Sequence, residues 1–167
     1  MVDHARDLQL GASKLIQANA FGEGVGIWKC KTHTQGGIGF WVGYKSGTSI
    51  ELYSYLALFH RDLGGHQVLE GKKAWTEPMW RRKGLGRALL RTAAAVAPLL
   101  TDTDGMTESA YHLWYTEPGL SRQWWDTQDS CFADDSAVPA TDRFDHFDSA
   151  SRWQLLLTLS QEQSSSR

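Results

Sequence analysis

The spacing of apolar residues changes along the first half of the chain. Between residues 7 and 20, four aliphatic side chains are interspersed with Ala and Gln, which predicts an amphipathic helix weakened by Gly11. From Gly26 onward, short runs rich in β-branched and aromatic residues are separated by glycine-containing turns, a pattern typical of antiparallel strands. We therefore expect four strands, at 27–31, 38–44, 50–60 and 66–76.

The second half of the chain alternates between helical and extended patterns. Residues 87–97 predict a helix that Pro98 ends, with one apolar face formed by Leu85, Leu89, Ala93 and Val96. We also expect a short buried strand, a helix with Thr107 as its N-cap and a final apolar strand, at 99–101, 107–115 and 153–159. The stretch 121–149 is acidic and rich in turn residues, and it indicates no clear element.

This order of elements predicts an α/β fold. The expected sheet is mixed, mostly antiparallel and twisted, is flanked by helices, and has one crossover helix in its second half. A length of 167 residues suits one domain. We assign that domain to residues 1–160 and expect residues 161–167, which are polar and rich in Ser, to be a flexible tail.

Composition and charge exclude several classes of protein. Hydrophobic residues make up 41% and charged residues 22%, which is typical of a globular chain and not of a disordered one. The net charge of −2 indicates no large surface for nucleic acid or acidic membrane, and no apolar run reaches the ~20 residues that cross a bilayer. The two cysteines stand apart, and the chain opens without a secretory pattern, so we expect a cytoplasmic protein.

The stretch between Glu77 and Leu90 carries the most chemical information. Gly84 and Gly86 stand where a helix begins, and a helix N-terminus attracts anions through its unpaired N–H groups and its dipole. Alternate glycines remove the Cβ atoms that would keep a phosphate away from those N–H groups. An ordinary strand-to-helix turn is the alternative. The nearby basic residues suit a small polyanionic cofactor better than a duplex: Lys72, Lys73, Arg81, Arg82, Lys83, Arg87 and Arg91.

Pro78, Trp80, Arg81, Gly84 and Gly86 together resemble motif A of the GCN5-related N-acetyltransferase (GNAT) superfamily, Arg/Gln-x-x-Gly-x-Gly/Ala. The resemblance implies a GNAT-like fold and an acyltransferase that passes an acetyl group from acetyl-coenzyme A directly to a primary amine in a ternary complex. It also implies the residues that hold coenzyme A, with Thr107 in place of a family Asn: Trp75, Thr76, Glu77, Arg81, Arg82, Lys83, Gly84, Leu85, Gly86, Arg87 and Thr107.

The resemblance further implies a general base. Glu70 lies eleven residues before Arg81, the offset of the catalytic glutamate in the histone acetyltransferase branch of the family. A partly apolar site would raise the pKa of such a glutamate toward neutrality. His66 and Glu77 on the same predicted strand are alternatives, and so is a solvent-facing Glu70 beside Lys72.

The general acid is less clearly indicated. Family members often carry a tyrosine that faces the coenzyme sulfur, and Trp114 stands at that position here. An indole cannot protonate a thiolate, so we expect Tyr115 to be the acid, with Tyr111 or water as alternatives. The tryptophan variant is similar to GNAT-like proteins of bacteriophages.

Several hypotheses about substrate and partners stay open. The acceptor amine belongs to a small molecule, a protein, an aminoacyl-tRNA or a modified base. Action on nucleic acid is an alternative that the charge does not favour, and a GNAT-shaped binding protein without catalysis is another, which Trp114 favours. A homodimer is compatible with the resemblance, and no membrane partner is expected.

Other clusters are weaker. Trp124 and Trp125 are interpreted as a buried apolar plug. One group of acidic residues is more typical of a solvated loop than of a calcium site, and we expect no metal: Asp134, Asp135, Asp142, Asp145, His146 and Asp148.

Overall fold

The structure is a computed structural model that describes residues 5–144 and 151–160. Its described residues form two α-helices, α1 (Leu85–Ala94) and α2 (Glu108–Tyr115). They also form nine strands: β1 (Lys14–Gln17), β2 (Gly26–Lys31), β3 (Gly37–Ser46), β4 (Ser49–Leu63), β5 (His66–Thr76), β6 (Leu99–Leu100), β7 (Leu120–Asp126), β8 (Cys131–Ala133) and β9 (Trp153–Leu159). Short 3₁₀ turns occur at Leu10–Ala12, Pro78–Trp80, Asp135–Ala137 and Asp142–Phe144.

The strands form one sheet in the order β1-β2-β3-β4-β5-β6-β9-β7-β8. The pair β5–β6 is parallel, whereas β1–β2, β2–β3, β3–β4, β6–β9, β7–β9 and β7–β8 are antiparallel. The predicted α/β class and mostly antiparallel sheet are therefore confirmed. Helical cover is modest, with two helices of 10 and 8 residues.

The strands predicted in the first half are confirmed as β2 to β5, and the final apolar strand is confirmed as β9. These segments alternate apolar and polar residues or carry continuous apolar runs between glycine turns, so the local pattern and the sheet agree. The long β4, with 15 residues, is buried at residues 54–58 and exposed at residues 60–62, and its last residue, Leu63, is buried again.

The predicted N-terminal helix is wrong, because this segment forms a 3₁₀ turn at Leu10–Ala12 and then β1. Leu8 and Leu10, two positions apart, are both buried. The Ser13 hydroxyl donates to the carbonyl of Leu10 at 2.7 Å and accepts from Trp41 Nε1 at 2.8 Å. Packing against the sheet and these hydrogen bonds outweigh a weak helical pattern that Gly11 already interrupts.

Two other expectations need correction. Helix α1 ends at Ala94, not at residue 97, so Val96 lies beyond it with 48% of its surface exposed, while Leu85, Leu89 and Ala93 are buried as predicted. The stretch 121–149, which indicated no element, contains most of β7 and all of β8. Residues 145–149 of that stretch and the predicted tail lie outside the described residues.

The chain divides into two compact units whose boundaries fall inside β4, β5 and α1. The first contains residues up to His60 together with Gly71–Thr92, and its core includes Trp41, Tyr55 and the N-terminal leucines. The second contains Arg61–Glu70 together with residues from Ala93 onward. Within residues 5–144 and 151–160, no helix has the length and apolar character needed to span a membrane.

Candidate functional site

The loop that leaves β5 is fixed by bonds to β4. The N–H of Glu77 donates to the carbonyl of Tyr53 at 2.8 Å, and the 3₁₀ turn Pro78–Trp80 is closed by the Trp80 N–H on the carbonyl of Glu77. The Trp80 ring stacks on the Tyr53 ring with centroids 4.3 Å apart and planes 16° apart. The Tyr53 hydroxyl donates to Glu51 at 2.5 Å, and this hydrogen bond, with burial second, raises the pKa of Tyr53 to about 12.

Two residues with left-handed backbone shape the loop itself. Arg82 has φ +62° and Gly84 has φ +83°, a region that glycine adopts readily and that costs other residues conformational energy. Apart from its two chain neighbours, the described residues place no heavy atom within 4 Å of the position that a Cβ on Gly84 would occupy. Gly84 is therefore required by its backbone angle, and the space beside it is open.

Helix α1 begins directly after this glycine. The N–H of Ala88 donates to the carbonyl of Gly84 at 3.1 Å, so the N–H groups of Leu85, Gly86 and Arg87 belong to the first turn, which has no acceptor inside the helix. These groups and the helix dipole make the turn electropositive. An open approach beside Gly84 and donors on the same turn fit a phosphate group.

Exposed cations surround the loop. The side chains of Arg81, Arg82, Lys83 and Arg87 are all exposed. Arg81 Nε donates to the carbonyl of Thr76 at 3.2 Å, and the Lys83 amine lies 5.0 Å from the centroid of the Trp80 ring. Four of the residues predicted to hold coenzyme A, Arg81, Arg82, Lys83 and Arg87, are therefore exposed cations on this loop.

The backbone N–H groups at the end of β5 do not all point to the same side of the strand. The Glu77 N–H is used by Tyr53, and Ser54 donates its hydroxyl to the carbonyl of Trp75 at 3.0 Å. Because successive residues of a strand direct their N–H groups to opposite sides, the N–H of Thr76 points away from β4. Of the three strand-end residues predicted to bind the cofactor, Thr76 has its amide on the side of the strand that lies away from β4.

Two N–H groups, one within β5 and one just beyond its end, donate to different neighbouring segments. The N–H of Leu69 donates to the carbonyl of Pro98, which precedes β6, whereas the N–H of Glu77 donates toward β4. In a regular strand, two residues separated by an even number of positions point to the same side. We infer an irregularity of the β-bulge kind between Leu69 and Glu77, a feature that often lies next to functional sites.

The predicted base Glu70 is buried, with 3% of its surface exposed. One carboxylate oxygen, Oε1, accepts from Arg61 Nη1 at 2.5 Å, and Oε2 accepts from the N–H and the hydroxyl of Thr103 at 3.2 and 2.9 Å. A solvent-facing Glu70 is thus excluded. The alternative base His66 is exposed, and its ring packs edge-on against Phe132 at 4.8 Å.

Helix α2 begins as predicted. Thr107 is its N-cap, and the Thr107 hydroxyl oxygen accepts from the N–H of Ala110 at 3.3 Å. Thr107 is also one of the residues predicted to hold coenzyme A, and in the structure its hydroxyl makes this capping bond. Trp114, at the family's tyrosine position, is buried with 3% of its surface exposed.

The two tyrosines of α2 have different surroundings. Tyr111 is buried, its hydroxyl donates to the carbonyl of Arg143, and burial raises the pKa of Tyr111 above its ordinary value. Tyr115 is half-buried at the last position of the helix, with the Arg122 guanidinium 4.4 Å from its ring centroid. Tyr115 is therefore the more accessible of the two phenols.

Arg61 and Thr103 are the site residues that sequence analysis missed. One signal was present for Arg61: it and Glu70 stand on either side of the Gly64-Gly65 turn, so a hairpin places them on neighbouring strands. Thr103 follows the two-residue β6, and no sequence pattern pointed to it.

The acidic cluster predicted as a solvated loop is partly described. Asp135 accepts from Arg122 and from Trp124 Nε1, the latter at 2.7 Å. Of the two tryptophans interpreted as a buried apolar plug, Trp124 is fully buried and Trp125 is half-buried. Asp145, His146 and Asp148 lie outside the described residues. In the part of the chain that the structure describes, no three His, Cys, Asp or Glu side chains are grouped so as to bind a metal ion.

No protein-family model matches the chain, and no curated protein matches it either.

Proposed function

We propose that the chain is an N-acetyltransferase of the GNAT type, which transfers an acetyl group from acetyl-coenzyme A to a primary amine. The observation that carries this proposal is the loop from Glu77 to Arg87. It joins a left-handed glycine with open space beside it, a first helical turn rich in N–H donors, and exposed basic side chains. That combination suits the pyrophosphate of a coenzyme A ester.

The strand order supports the same proposal. The parallel pair β5–β6 is joined through α1, and its register links Leu69 to Leu99 and Glu70 to Leu100. Strand β6 ends there, while β5 continues to Thr76. A crossover helix between two parallel strands that stop pairing near the motif is the arrangement that the resemblance to GNAT proteins implies.

Each residue then has a defined task. The coenzyme ester supplies a thioester whose carbonyl carbon accepts the amine. The loop amides and cations bind the pyrophosphate, and the N–H of Thr76 is the strand-end donor that we assign to the coenzyme. Glu70 takes the proton that the amine loses, and Tyr115 gives a proton to the departing thiolate. The Glu70 carboxylate accepts hydrogen bonds from Arg61 and Thr103, which hold it in one orientation.

One observation favours a second candidate, a binding protein of this shape without catalysis. Trp114 is buried at the position of the family's acid, and the hydroxyl of Tyr111 donates a hydrogen bond to the carbonyl of Arg143. Under this candidate the loop still binds coenzyme A, and no thiol is released. Release of the coenzyme thiol therefore separates the two candidates.

The test is thiol release from acetyl-coenzyme A in the presence of a panel of primary amines. We expect release with at least one amine, and Glu70→Gln and Tyr115→Phe should each lower the rate by about 100-fold or more, since acid–base catalysis contributes about 10²–10⁴-fold. Both variants should bind coenzyme A as the wild type does. Tyr111→Phe is the matched control and should retain the rate. Coenzyme A binding without release for any amine would favour the binding protein.

A further inference from the structure

A cavity opens at the edge of the sheet that β1 forms. It has a volume of about 330 Å³ and lies between β1, the segment 18–25 that joins β1 to β2, β2 itself and the end of β3. All of its lining residues belong to the first compact unit, and the strand order places β4 between them and β5, which leads into the anion loop. Ligand cavities in proteins have volumes of about 300–1,000 Å³, so this one suits a small molecule of one or two rings.

Two glycines leave room in this cavity. A Cβ on Gly26 would lie 2.8 Å from Leu15 Cδ1 and 3.3 Å from Trp28 Nε1. A Cβ on Gly24 would lie 3.4 Å from Tyr44 Cδ2, and Gly24 also has φ +79°. The side chains of Leu15 and Tyr44 therefore lie directly against backbone that carries no side chain of its own, and the space between them stays open.

The walls of the cavity are apolar, and one of them is fixed in place. The Trp28 indole N–H donates to the carbonyl of Gly43 at 3.2 Å, and the Trp28 ring stacks on the buried Trp41 with centroids 5.5 Å and planes 15° apart. Leu15 is 50% exposed and Tyr44 is 40% exposed, so both carry apolar surface that a ligand can cover. Aromatic walls favour a planar aromatic ligand, because rings pack against one another in stacked or edge-on arrangements.

Lys45 supplies the charge of the cavity. Its ammonium lies 5.7 Å from the centroid of the Trp28 ring, and its side chain forms no ion pair or hydrogen bond with another described residue. No Asp or Glu is among the described residues that line the cavity. A half-buried cation beside an aromatic wall, without an acidic neighbour in the cavity, favours an anionic ligand.

We propose that this cavity binds a small aromatic carboxylate. The ring lies between Leu15 and Tyr44 against Trp28, and the carboxylate pairs with the ammonium of Lys45. The site uses none of the residues assigned to coenzyme A, so the proposal stands whether or not the chain transfers acetyl groups.

The test follows the indole N–H resonance of Trp28 in the ¹⁵N-labelled protein while phenylacetate is added. The resonance is assigned by its absence in Trp28→Phe. We expect a saturable shift with a Kd of about 1–10 mM, the affinity typical of a ligand with about ten non-hydrogen atoms. 2-Phenylethanol keeps the ring without the charge, and cyclohexylacetate keeps the charge without an aromatic ring. Each should bind about threefold more weakly or worse.

Matched variants separate the charge from the ring. Lys45→Gln should weaken phenylacetate binding by about threefold or more and leave 2-phenylethanol binding unchanged, because the lost charge acts only on the carboxylate. Lys29→Gln is the control: Lys29 is also half-buried, lies on β2 and does not line the cavity, so both affinities should stay as in the wild type. Tyr44→Ala, at an exposed position, should weaken both ligands.

The outcomes are separate from those for the proposed function. A saturable shift that weakens in Lys45→Gln and Tyr44→Ala supports the site, and if the same protein fails to bind coenzyme A, the proposed function falls alone. Three results would each overturn the site: no saturable shift up to about 50 mM phenylacetate, equal binding of 2-phenylethanol, or wild-type affinity for phenylacetate in Lys45→Gln.

Discussion

Replacing Gly84 tests the loop most sharply, because the backbone angle of Gly84 and the space beside it can be tested by different substitutions. Gly84 has φ +83°, and no heavy atom of the described residues outside its chain neighbours lies within 4 Å of an added Cβ, so Gly84→Ala meets strain without a steric clash. Gly84→Asn lowers the strain, since Asn tolerates the left-handed region better than Ala, but it places a larger side chain in the open space. The pair of variants therefore distinguishes backbone strain from obstruction.

The expected magnitudes follow from those two facts. A non-glycine residue in the left-handed region costs about 1–2 kcal/mol, which lowers the Tm of a chain of this size by about 2–8 °C. Gly84→Asn should lower Tm by less. For binding, the loss of one hydrogen bond to a charged phosphate is worth about 1.5–3 kcal/mol. We therefore expect Gly84→Asn to weaken coenzyme A binding by about 10- to 100-fold.

The assay combines thermal unfolding with calorimetric titration of coenzyme A. Gly47→Ala is the matched control, because Gly47 has φ +58°, nothing lies within 4 Å of its added Cβ, and it sits in the turn between β3 and β4. It should lose similar stability and bind coenzyme A as the wild type does. If Gly84→Asn binds coenzyme A with wild-type affinity, obstruction of the loop has no effect and the reasoning is refuted.

Three further predictions follow from single residues. Arg82→Gly should leave Tm unchanged or raise it, since it relieves the strain of φ +62°, and should weaken coenzyme A binding severalfold through the lost charge; a lower Tm would contradict this. Thr107→Ala should destabilise the protein by about 1 kcal/mol through the lost N-cap, while Thr107→Ser keeps stability in denaturant unfolding. The pKa of Asp126 is lowered to about 2, and the largest cause is its hydrogen bond to Arg152. Because the unfolded pKa is higher, about 3.9, this stabilisation is complete above pH ~4 and is lost as pH falls through ~2. In an acid series of Tm measurements, Asp126→Asn should flatten that fall, whereas Asp129→Asn should not.

Much of the fold follows from local patterns in the sequence. The bounds of β5 agree with the prediction because Gly64-Gly65 precedes the strand and Pro78 follows it, and those of β9 agree because its apolar run ends at Ser160. Thr107 is the N-cap because a hydroxyl before a helical run satisfies a free N–H. The N-terminal segment does not follow such a pattern. Its buried leucines are two positions apart, and a hydrogen bond from the distant Trp41 fixes Ser13, so tertiary contacts decide its structure.

One part of the candidate site could be predicted from the sequence, and another part could not. The anion loop is contiguous in sequence, so its glycines and basic residues could be recognised together. The environment of Glu70 is not contiguous, since Thr103 lies 33 residues away and Arg61 lies on another strand. The β7–β8 hairpin was missed although a polar four-residue link, Thr127 to Ser130, separates two aromatic runs, because exposed Arg122 interrupts the apolar alternation of β7.

Calorimetric titration of the wild-type chain with coenzyme A tests the central claim most directly. The account predicts micromolar binding that weakens as salt rises, because exposed cations and loop amides bind a polyanion. It also predicts that binding is lost in a Gly84→Glu/Gly86→Glu variant, where two carboxylates face the phosphates. No detectable binding by the folded wild type, or equal binding by that variant, would contradict the assignment of this loop to coenzyme A.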